Sequence, residues 1–299
     1  MGFLIGLAVV VLIGFAVIGF YSWFYKSRRI VILKEMLEKK QEYAHNIEEN
    51  KIVIAGGSEV LYSFDTDFLS EHLGVPAVNL GSNIGFGAGF IIDQAKLCLK
   101  SGDTLVLSLA YGLYHRPLYD VFAYEYFRMY ERGQLYRFTW KERAYYLMKN
   151  FVLNGRFEEK SFDMSPSGFY RNIRGCELPK HKKIPLQFSE FEENAVTENL
   201  LALKKYCELH GIDLYLTYPD TVYFETYEMD PFFGELEAFL NRYFNVLGSA
   251  GLYMYDSEYF YNSVYHVNRE GQAERTKNVL KELGRRSTRG QKAVDNWPS

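Results

Sequence analysis

The hydrophobic pattern of the chain opens with a long apolar run, and the first charged side chain is Lys26. Aromatic residues cluster at the end of the run, as they do at membrane interfaces: Tyr21, Trp23, Phe24 and Tyr25. As a helix, residues 2–24 would be about 35 Å long, enough to cross a hydrocarbon core of about 30 Å. A cleavable signal peptide is the alternative, but the run is long for that role and no basic segment precedes it. We therefore predict one transmembrane helix in residues 1–25.

The next segment, residues 26–50, is charged and rich in helix-forming residues, and it is predicted to be a helical stalk. Its basic residues follow the apolar run directly, at Lys26, Arg28, Arg29 and Lys34. Because basic residues are enriched on the cytoplasmic side of a span, this pattern favours a cytoplasmic location for the rest of the chain.

Beyond residue 50, short apolar runs alternate with stretches of helix length. The runs of strand length lie at 52–55, 77–80, 104–109, 214–217 and 252–255, and several are continuously apolar, which is typical of strands buried on both faces. The helical stretches lie at 67–73, 90–100, 192–210, 232–247 and 269–283. This alternation predicts an α/β fold over residues 51–284, a three-layer α/β/α sandwich with a mainly parallel five-stranded sheet.

One long segment, at about 111–190, interrupts the alternation and is predicted to be an insertion on the carboxyl edge of the sheet. It is rich in aromatic residues, which form either ordinary core or a wall for a carbohydrate or acyl group. Residues 285–299 are basic and polar, and we expect a disordered tail.

Composition narrows the function further. The chain has 34 basic and 37 acidic residues, so it has no excess of positive charge for binding nucleic acid. Its three cysteines are widely spaced and support neither a disulfide framework nor a zinc site. No nucleotide-binding glycine motif is present, and we expect no metal and no cofactor.

Three loops after predicted strands contain residues that could take part in catalysis. Gly56, Gly57 and Ser58 follow the first strand, where a tight turn would expose the serine at the sheet edge that binds ligands in open α/β folds. The second loop contains Gly81, Asn83 and Gly85, and backbone N–H groups and an amide in such a loop suit an oxyanion site. A flexible turn is the alternative for that loop.

The third loop contains His266, just before the last helix. A lone histidine is more often structural than catalytic. From a loop after the last strand, however, its imidazole could reach Ser58 and accept the hydroxyl proton, which is what a serine nucleophile needs.

Together the three loops resemble the SGNH hydrolase superfamily, and more closely its membrane-anchored branch found beside acyltransferases that modify bacterial envelope polysaccharides. The nucleophile block matches Gly57 and Ser58, the glycine block matches residues 79–85, and the histidine block matches residues 265–271. Two features depart from the family pattern. The block that usually supplies an oxyanion asparagine is replaced at residues 107–115, and Ser263 stands where an aspartate is usual. Asn262 and Asp256 are the main candidates to orient the histidine, and Glu258 is a further polar residue nearby.

The resemblance implies a membrane-anchored acyl transferase or esterase, acting on O-acetyl groups of an envelope polysaccharide. Ser58 would be the nucleophile and His266 the base, and Asn83 with backbone N–H groups of Ser58 and of Gly81 or Gly85 would bind the oxyanion. Tyr111 or the aromatic insertion would shape the acceptor site. The resemblance also implies an extracytoplasmic domain, against the basic residues after the span. The alternative is a catalytically silent subunit that binds glycan or docks to a multi-pass membrane O-acyltransferase.

Overall fold

The computed structural model describes residues 2–157 and 163–286. Two helices come first, α1 (Gly2–Phe24) and α2 (Arg28–His45). The later elements, in chain order, are β1 (Ile52–Ala55), α3 (Ser58–Ser63), α4 (Thr66–Leu73), β2 (Ala77–Asn79), α5 (Ala88–Leu97), β3 (Thr104–Ser108), α6 (Val121–Tyr130), α7 (Trp140–Gly155), α8 (Ala195–His210), β4 (Asp213–Thr217), β5 (Thr221–Val222), α9 (Pro231–Tyr243), β6 (Asn245–Leu247), β7 (Met254–Tyr255), β8 (Phe260–Ser263), β9 (His266–Val267) and α10 (Arg269–Arg286).

Helix α1 matches the apolar run. It is long and apolar enough to span a membrane. Within the described part of the chain, no helical stretch other than the one that contains α1 meets that condition. Its described side chains are mostly exposed, and only its last turn packs against the rest of the protein.

The central sheet has five strands in the order β2-β1-β3-β4-β6, and every pairing is parallel. This confirms the predicted α/β fold with its parallel five-stranded sheet. Helices α5 and α8 contact each other, whereas α10 contacts α3 and α4, so helices form a layer on each side of the sheet. The chain leaves β1 towards β2 and returns to β3 on the other side of β1, which makes the carboxyl ends of β1 and β3 the topological switch point.

The fifth strand is not where we predicted it. Residues 252–255 form a turn and the short strand β7, which pairs with β5 outside the central sheet, whereas β6 lies inside the predicted helix 232–247. Helix α9 ends at Tyr243, but the apolar residues that follow continue its helical spacing. No glycine or proline marks the break until Gly248, which has a positive φ of 75°.

The aromatic segment folds mainly as two helices. Helices α6 and α7 contact each other, and α6 also contacts α1, α2 and the turn at residues 84–86. Their aromatic side chains form a second hydrophobic core, which includes Phe86, Phe90, Tyr124, Phe127, Phe138 and Tyr146. Most of these aromatic residues are therefore core, and the segment joins helices α1 and α2 to the loop after β2. The predicted tail lies outside the described residues from position 287 onwards.

Candidate active site

Ser58 lies at the switch point, as the first residue of α3 directly after β1. Two glycines make this approach possible. A Cβ atom on Gly56 would lie 2.3 Å from the Ser108 carbonyl oxygen of β3, and one on Gly57 would lie 2.5 Å from Cγ2 of Ile84. The turn is therefore packed against both neighbouring loops, which leaves no room for side chains before the serine.

The hairpin formed by β8 and β9 brings the histidine to this turn. His266 Nε2 lies 2.8 Å from Ser58 Oγ, although the two residues are 208 positions apart in the sequence. On the other side of the ring, His266 Nδ1 lies 2.8 Å from Oδ1 of Asn262. The three side chains form a continuous hydrogen-bonded chain, Asn262 to His266 to Ser58, with the geometry of a nucleophile, a base and an orienting group.

Tyr62 packs against the imidazole ring of His266. It lies one turn after Ser58 on α3, and its ring stacks on that of His266 with a centroid distance of 4.2 Å and an interplanar angle of 3°. The Asn262 side chain also hydrogen-bonds to the Tyr62 phenol. Since the amide nitrogen of Asn262 is its donor, this bond leaves the amide oxygen to accept from Nδ1–H of His266. Nε2 is then the acceptor for the Ser58 hydroxyl proton.

Asp256, the other predicted orienting residue, does not occupy this position. Its side chain is exposed at the start of the turn 257–259, and the hydrogen bond at this turn is accepted by its backbone carbonyl from the N–H of Tyr259. The hairpin instead brings Asn262 to the Nδ1 side of the ring. The orienting group of the triad is therefore neutral.

The loop after β2 lies against α3, but two of its predicted oxyanion donors are already engaged. The N–H of Gly81 donates to Oδ1 of Asn79 at 2.8 Å, and the N–H of Gly85 donates to Oδ1 of Asn83 at 2.9 Å. Both N–H groups would have to leave these acceptors to bind an oxyanion, so that role stays a prediction.

Asn83 keeps its donor group available. Its Oδ1 is used by Gly85, while no acceptor for its Nδ2 occurs within residues 2–157 and 163–286. The N–H of Ser58 begins a helix and has no intrahelical acceptor. These two groups are the remaining candidates for oxyanion binding.

Glu59, next to the serine, is a residue that the sequence did not single out. It is buried, and its Oε1 accepts hydrogen bonds from the N–H groups of Gly57 at 2.8 Å and Ala110 at 3.1 Å. Burial raises the pKa of Glu59 to about 7, and the charge of Asp220 adds to this effect. The carboxyl group ties the serine turn to the segment that follows β3.

A buried ion pair lies behind this region. The guanidinium of Arg275 is 3.5 Å from Oδ1 of Asp220, and it donates to Oγ1 of Thr217 and to the carbonyl of Tyr218. Burial raises the pKa of Asp220 to about 6, while Arg275 opposes the shift. The arginine also stacks over the ring of Tyr253 at 3.5 Å, so its charge is held by several neighbours in the core.

The stalk contributes a second buried cation to the site region. Lys40 of α2 is fully buried, and its Nζ donates to the Gly81 carbonyl at 2.6 Å. Burial lowers the pKa of this amine well below its usual range. Mixed charge and helical spacing predict a helical stalk here, and no signal in the sequence marks this one lysine as buried.

Two open pockets lie near the site, one lined by Asn262 and the other by Asn83. One has a volume of about 540 Å³ and contains Asn262, Ser263 and Val264, with 181 and 184–187 opposite. The other has a volume of about 500 Å³ and joins Asn83 and Gly85 to α7, where Tyr145 and Lys149 line it. Tyr111, predicted to shape an acceptor site, is instead fully buried against Phe233 and belongs to the core.

No cluster of three or more metal-ligating side chains occurs in the described part of the chain. Of the three cysteines, Cys98 and Cys207 are buried, and burial raises the pKa of both thiols. The site chemistry therefore belongs to the serine, the imidazole and their hydrogen-bond partners.

Comparisons with known proteins add little to this geometry. No protein-family model and no curated protein matches the sequence. Among solved structures, the chain is similar to a protein from Streptococcus pneumonia that is proposed to be a platelet activating factor. The similarity covers 87% of this chain and 100% of that one, with 12% sequence identity and a TM-score of 0.39. A likeness this low does not carry a function from that protein to this chain.

Proposed function

We propose that the protein is a membrane-anchored serine acyl transferase or esterase of the SGNH type. The observation that supports this most directly is the 2.8 Å contact between Ser58 Oγ and His266 Nε2 at the switch point of a parallel sheet. The Asn262 contact on the opposite ring nitrogen supports the same assignment, because it orients the base for proton transfer.

In the first half-reaction, His266 Nε2 takes the proton of the Ser58 hydroxyl while Oγ bonds to the acyl carbonyl carbon. The carbonyl electron pair moves to oxygen, and the N–H of Ser58 and Nδ2 of Asn83 stabilise that negative charge. Collapse of the intermediate breaks the donor C–O bond, and the leaving oxygen takes the proton from His266. In the second half-reaction, a hydroxyl of the acceptor or of water gives its proton to His266 and attacks the acyl-serine, and Ser58 recovers its proton.

For the substrate, we propose an O-acetyl group on an envelope polysaccharide, with the domain on the extracytoplasmic side. The resemblance of the three loops supports this choice, and α1 supplies a suitable anchor. The open pockets lined by Asn262 and by Asn83 offer space near the site for a donor and an acceptor. A multi-pass membrane O-acyltransferase is the partner that the resemblance suggests. The reaction as written needs no cofactor.

The test is covalent labelling of the full chain in detergent with a fluorophosphonate probe, which reacts with activated serines. We expect labelling of the wild type, none in Ser58→Ala, and a decrease of at least about 100-fold in His266→Ala. Ser249→Ala is the matched control, since this serine is exposed. Absence of labelling in the wild type would contradict the assignment.

A second candidate function is favoured by the neutral Asn262 in place of a carboxylate. An amide cannot stabilise the imidazolium by charge, so the chain could be a silent subunit that binds glycan or docks to an acyltransferase. In that case Ser58→Ala would leave the acylation of the glycan unchanged in cells, and the probe would not label Ser58.

A further inference from the structure

Helix α7 exposes an unusual amount of apolar surface. Four side chains, which we call the α7 stripe, are between 51 and 73% exposed: Tyr145, Met148, Phe151 and Val152. At 100° per residue they lie within an arc of about 120° on one face of the helix. The buried residues Tyr146 and Asn150 lie on the side that packs against the protein. The stripe is thus a genuine helix face left uncovered by the fold.

The stripe adjoins the carboxyl end of α1. The ring of Phe151 contacts the ring of Tyr21 at a centroid distance of 5.7 Å. Asn154, on the next turn of α7, donates from Nδ2 to the Tyr21 hydroxyl at 2.8 Å and accepts from Oγ of Ser27 at 2.6 Å. Helix α7 is therefore attached at one end to the last turn of the apolar helix.

A second attachment comes from α6. Arg128 donates to the backbone carbonyls of Tyr21, Ser22 and Tyr25, and Arg132 donates to those of Ser22 and Trp23. Carbonyls at the end of a helix lack donors from a following turn, so the two arginines supply donors there; the Tyr21 carbonyl also accepts from the N–H of Tyr25 at 3.3 Å. Because α6 and α7 also pack together, the orientation of α7 relative to α1 is determined by the structure.

The charged residues beside the stripe favour a lipid surface as its partner. Lys141 lies on the same face, one turn before Tyr145, and Lys149 lies beside the stripe. Their amines lie over the rings of Trp140 and Tyr145 at 5.7 and 5.4 Å. An apolar face with aromatic residues and flanking lysines is the pattern of a helix lying in the membrane interface, where the amines reach the phosphates of anionic lipids. A hydrophobic patch for a protein partner would not need to be continuous with the end of a membrane span.

We infer that α7 lies in the interface of the bilayer that α1 spans, with the stripe among the lipid acyl chains. This inference rests on the membrane anchoring in the proposed function. When α1 spans a bilayer, the aromatic residues at its end lie at the interface, and the attachments above bring α7 to the same depth. The pocket that joins Tyr145 and Lys149 to Asn83 then opens close to the membrane surface.

The test measures probe depth in the full chain, reconstituted in vesicles of phosphatidylcholine and phosphatidylglycerol. Cys176→Ser removes the exposed thiol, and Cys98 and Cys207 are buried. A single cysteine is then introduced for an environment-sensitive fluorophore, either by Met148→Cys or by Met229→Cys. Met229 is the matched control, because it is also a methionine and is 87% exposed, against 73% for Met148.

We expect lipids brominated near the headgroup to reduce the fluorescence at position 148 by about half, and that at position 229 by much less. Equal quenching at both positions would indicate general adsorption and overturn the inference. A third probe, introduced by Ile13→Cys at the middle of α1 and measured with lipids brominated near the ends of their acyl chains, tests the anchoring separately. Quenching at position 13 without quenching at 148 overturns only the α7 inference, whereas quenching at neither position overturns the anchoring itself.

Discussion

Replacing Asn262 with aspartate is predicted to make Ser58 more reactive. The amide oxygen of Asn262 lies 2.8 Å from His266 Nδ1, so a carboxylate oxygen can occupy the same position with almost no change in shape. The carboxylate adds a negative charge beside the imidazolium that forms when His266 takes the serine proton. It therefore stabilises the transition state more than the resting state.

The size of the effect follows from the separation of the charges. A carboxylate at residue 262 and an imidazolium at residue 266 would be about 4 Å apart, which corresponds to about 4 kcal/mol at an effective dielectric constant of about 20. Both side chains are partly exposed, so solvent screens the pair and the new carboxylate loses part of its hydration. We therefore expect a net gain of about 1–2 kcal/mol, or about tenfold in rate.

The assay is the second-order rate of fluorophosphonate labelling between acidic and alkaline pH. Because the carboxylate also favours the protonated imidazole at rest, the acid limb of the profile should move to higher pH by about one unit, with a higher plateau above it. Asn262→Ala should lower the plateau by about 100-fold, since the ring loses its orienting bond. Asn245→Asp adds the same charge at the opposite end of the sheet and should change nothing.

One pattern of results would refute this reasoning. If Asn262→Asp left the acid limb unmoved and Asn262→Ala labelled at the wild-type rate, the Asn262 contact would have no part in positioning His266. The pairing of Ser58 with His266 would then have to be judged from the Ser58→Ala and His266→Ala variants alone.

Three further variants test the buried groups around the site by thermal unfolding in detergent. Burial raises the pKa of Glu59 to about 7, so the folded protein keeps a proton that the unfolded chain loses at lower pH, and the wild type loses stability as pH rises. The free energy of unfolding of Glu59→Gln should therefore rise relative to that of the wild type by about 2 kcal/mol between pH 5 and pH 8. A difference that does not change with pH would contradict this. Gly81→Ala places a Cβ 2.3 Å from the backbone nitrogen of Leu61 and should destabilise by about 3 kcal/mol, whereas Gly112→Ala, with nothing within 4 Å, should be neutral. Because burial lowers the pKa of Lys40, the wild type should gain stability relative to Lys40→Met as pH rises from 7 to 10, by up to about 1.4 kcal/mol per pH unit. A stability difference that does not change with pH would show that this amine titrates normally.

The sequence predicted the parts of the fold that depend on local pattern. Four strands of the sheet are short apolar runs bounded by glycines or polar residues, and the order of strands and helices implied their parallel pairing. The approach of Ser58 to His266 was predicted from the convergence of loops at the carboxyl edge of a parallel sheet. In the structure His266 reaches Ser58 from the β8–β9 hairpin, which follows β7 outside the central sheet.

The details of the site depend on geometry that the pattern does not contain. Strands β8 and β9 form a hairpin in which Ser263 pairs with His266, so only Val264 and Tyr265 form the turn. Neither residue is typical of a two-residue hairpin turn, which usually contains glycine or asparagine, and the hairpin was therefore not predicted. Without the hairpin, the choice between Asn262 and Asp256 could not be made.

In the loop after β2, too, the sequence pattern does not determine the details of the site. Whether an N–H group faces the site or a neighbouring side chain depends on the orientation of a single peptide unit. In this loop, Asn79 and Asn83 each accept from a following glycine and determine that orientation. Asx turns of this kind are common after a strand, but the sequence does not show which N–H group they engage.

Lys40 gives the stalk a direct connection to this loop. It donates to the carbonyl of Gly81, while Asn79 holds the N–H of the same residue, so both sides of this glycine are held. No acidic side chain in the described part of the chain forms an ion pair with Lys40. Burying an amine without such a partner costs free energy. A methionine would fill similar space without that cost, so the hydrogen bond to the loop is the physical role that the structure offers for the amine. Since Arg128 holds the end of α1 and Lys40 holds the loop that carries Asn83, α1 and the site belong to one packed unit. If α1 spans a membrane, as we propose, the fold also determines the height and tilt of Ser58 relative to that membrane.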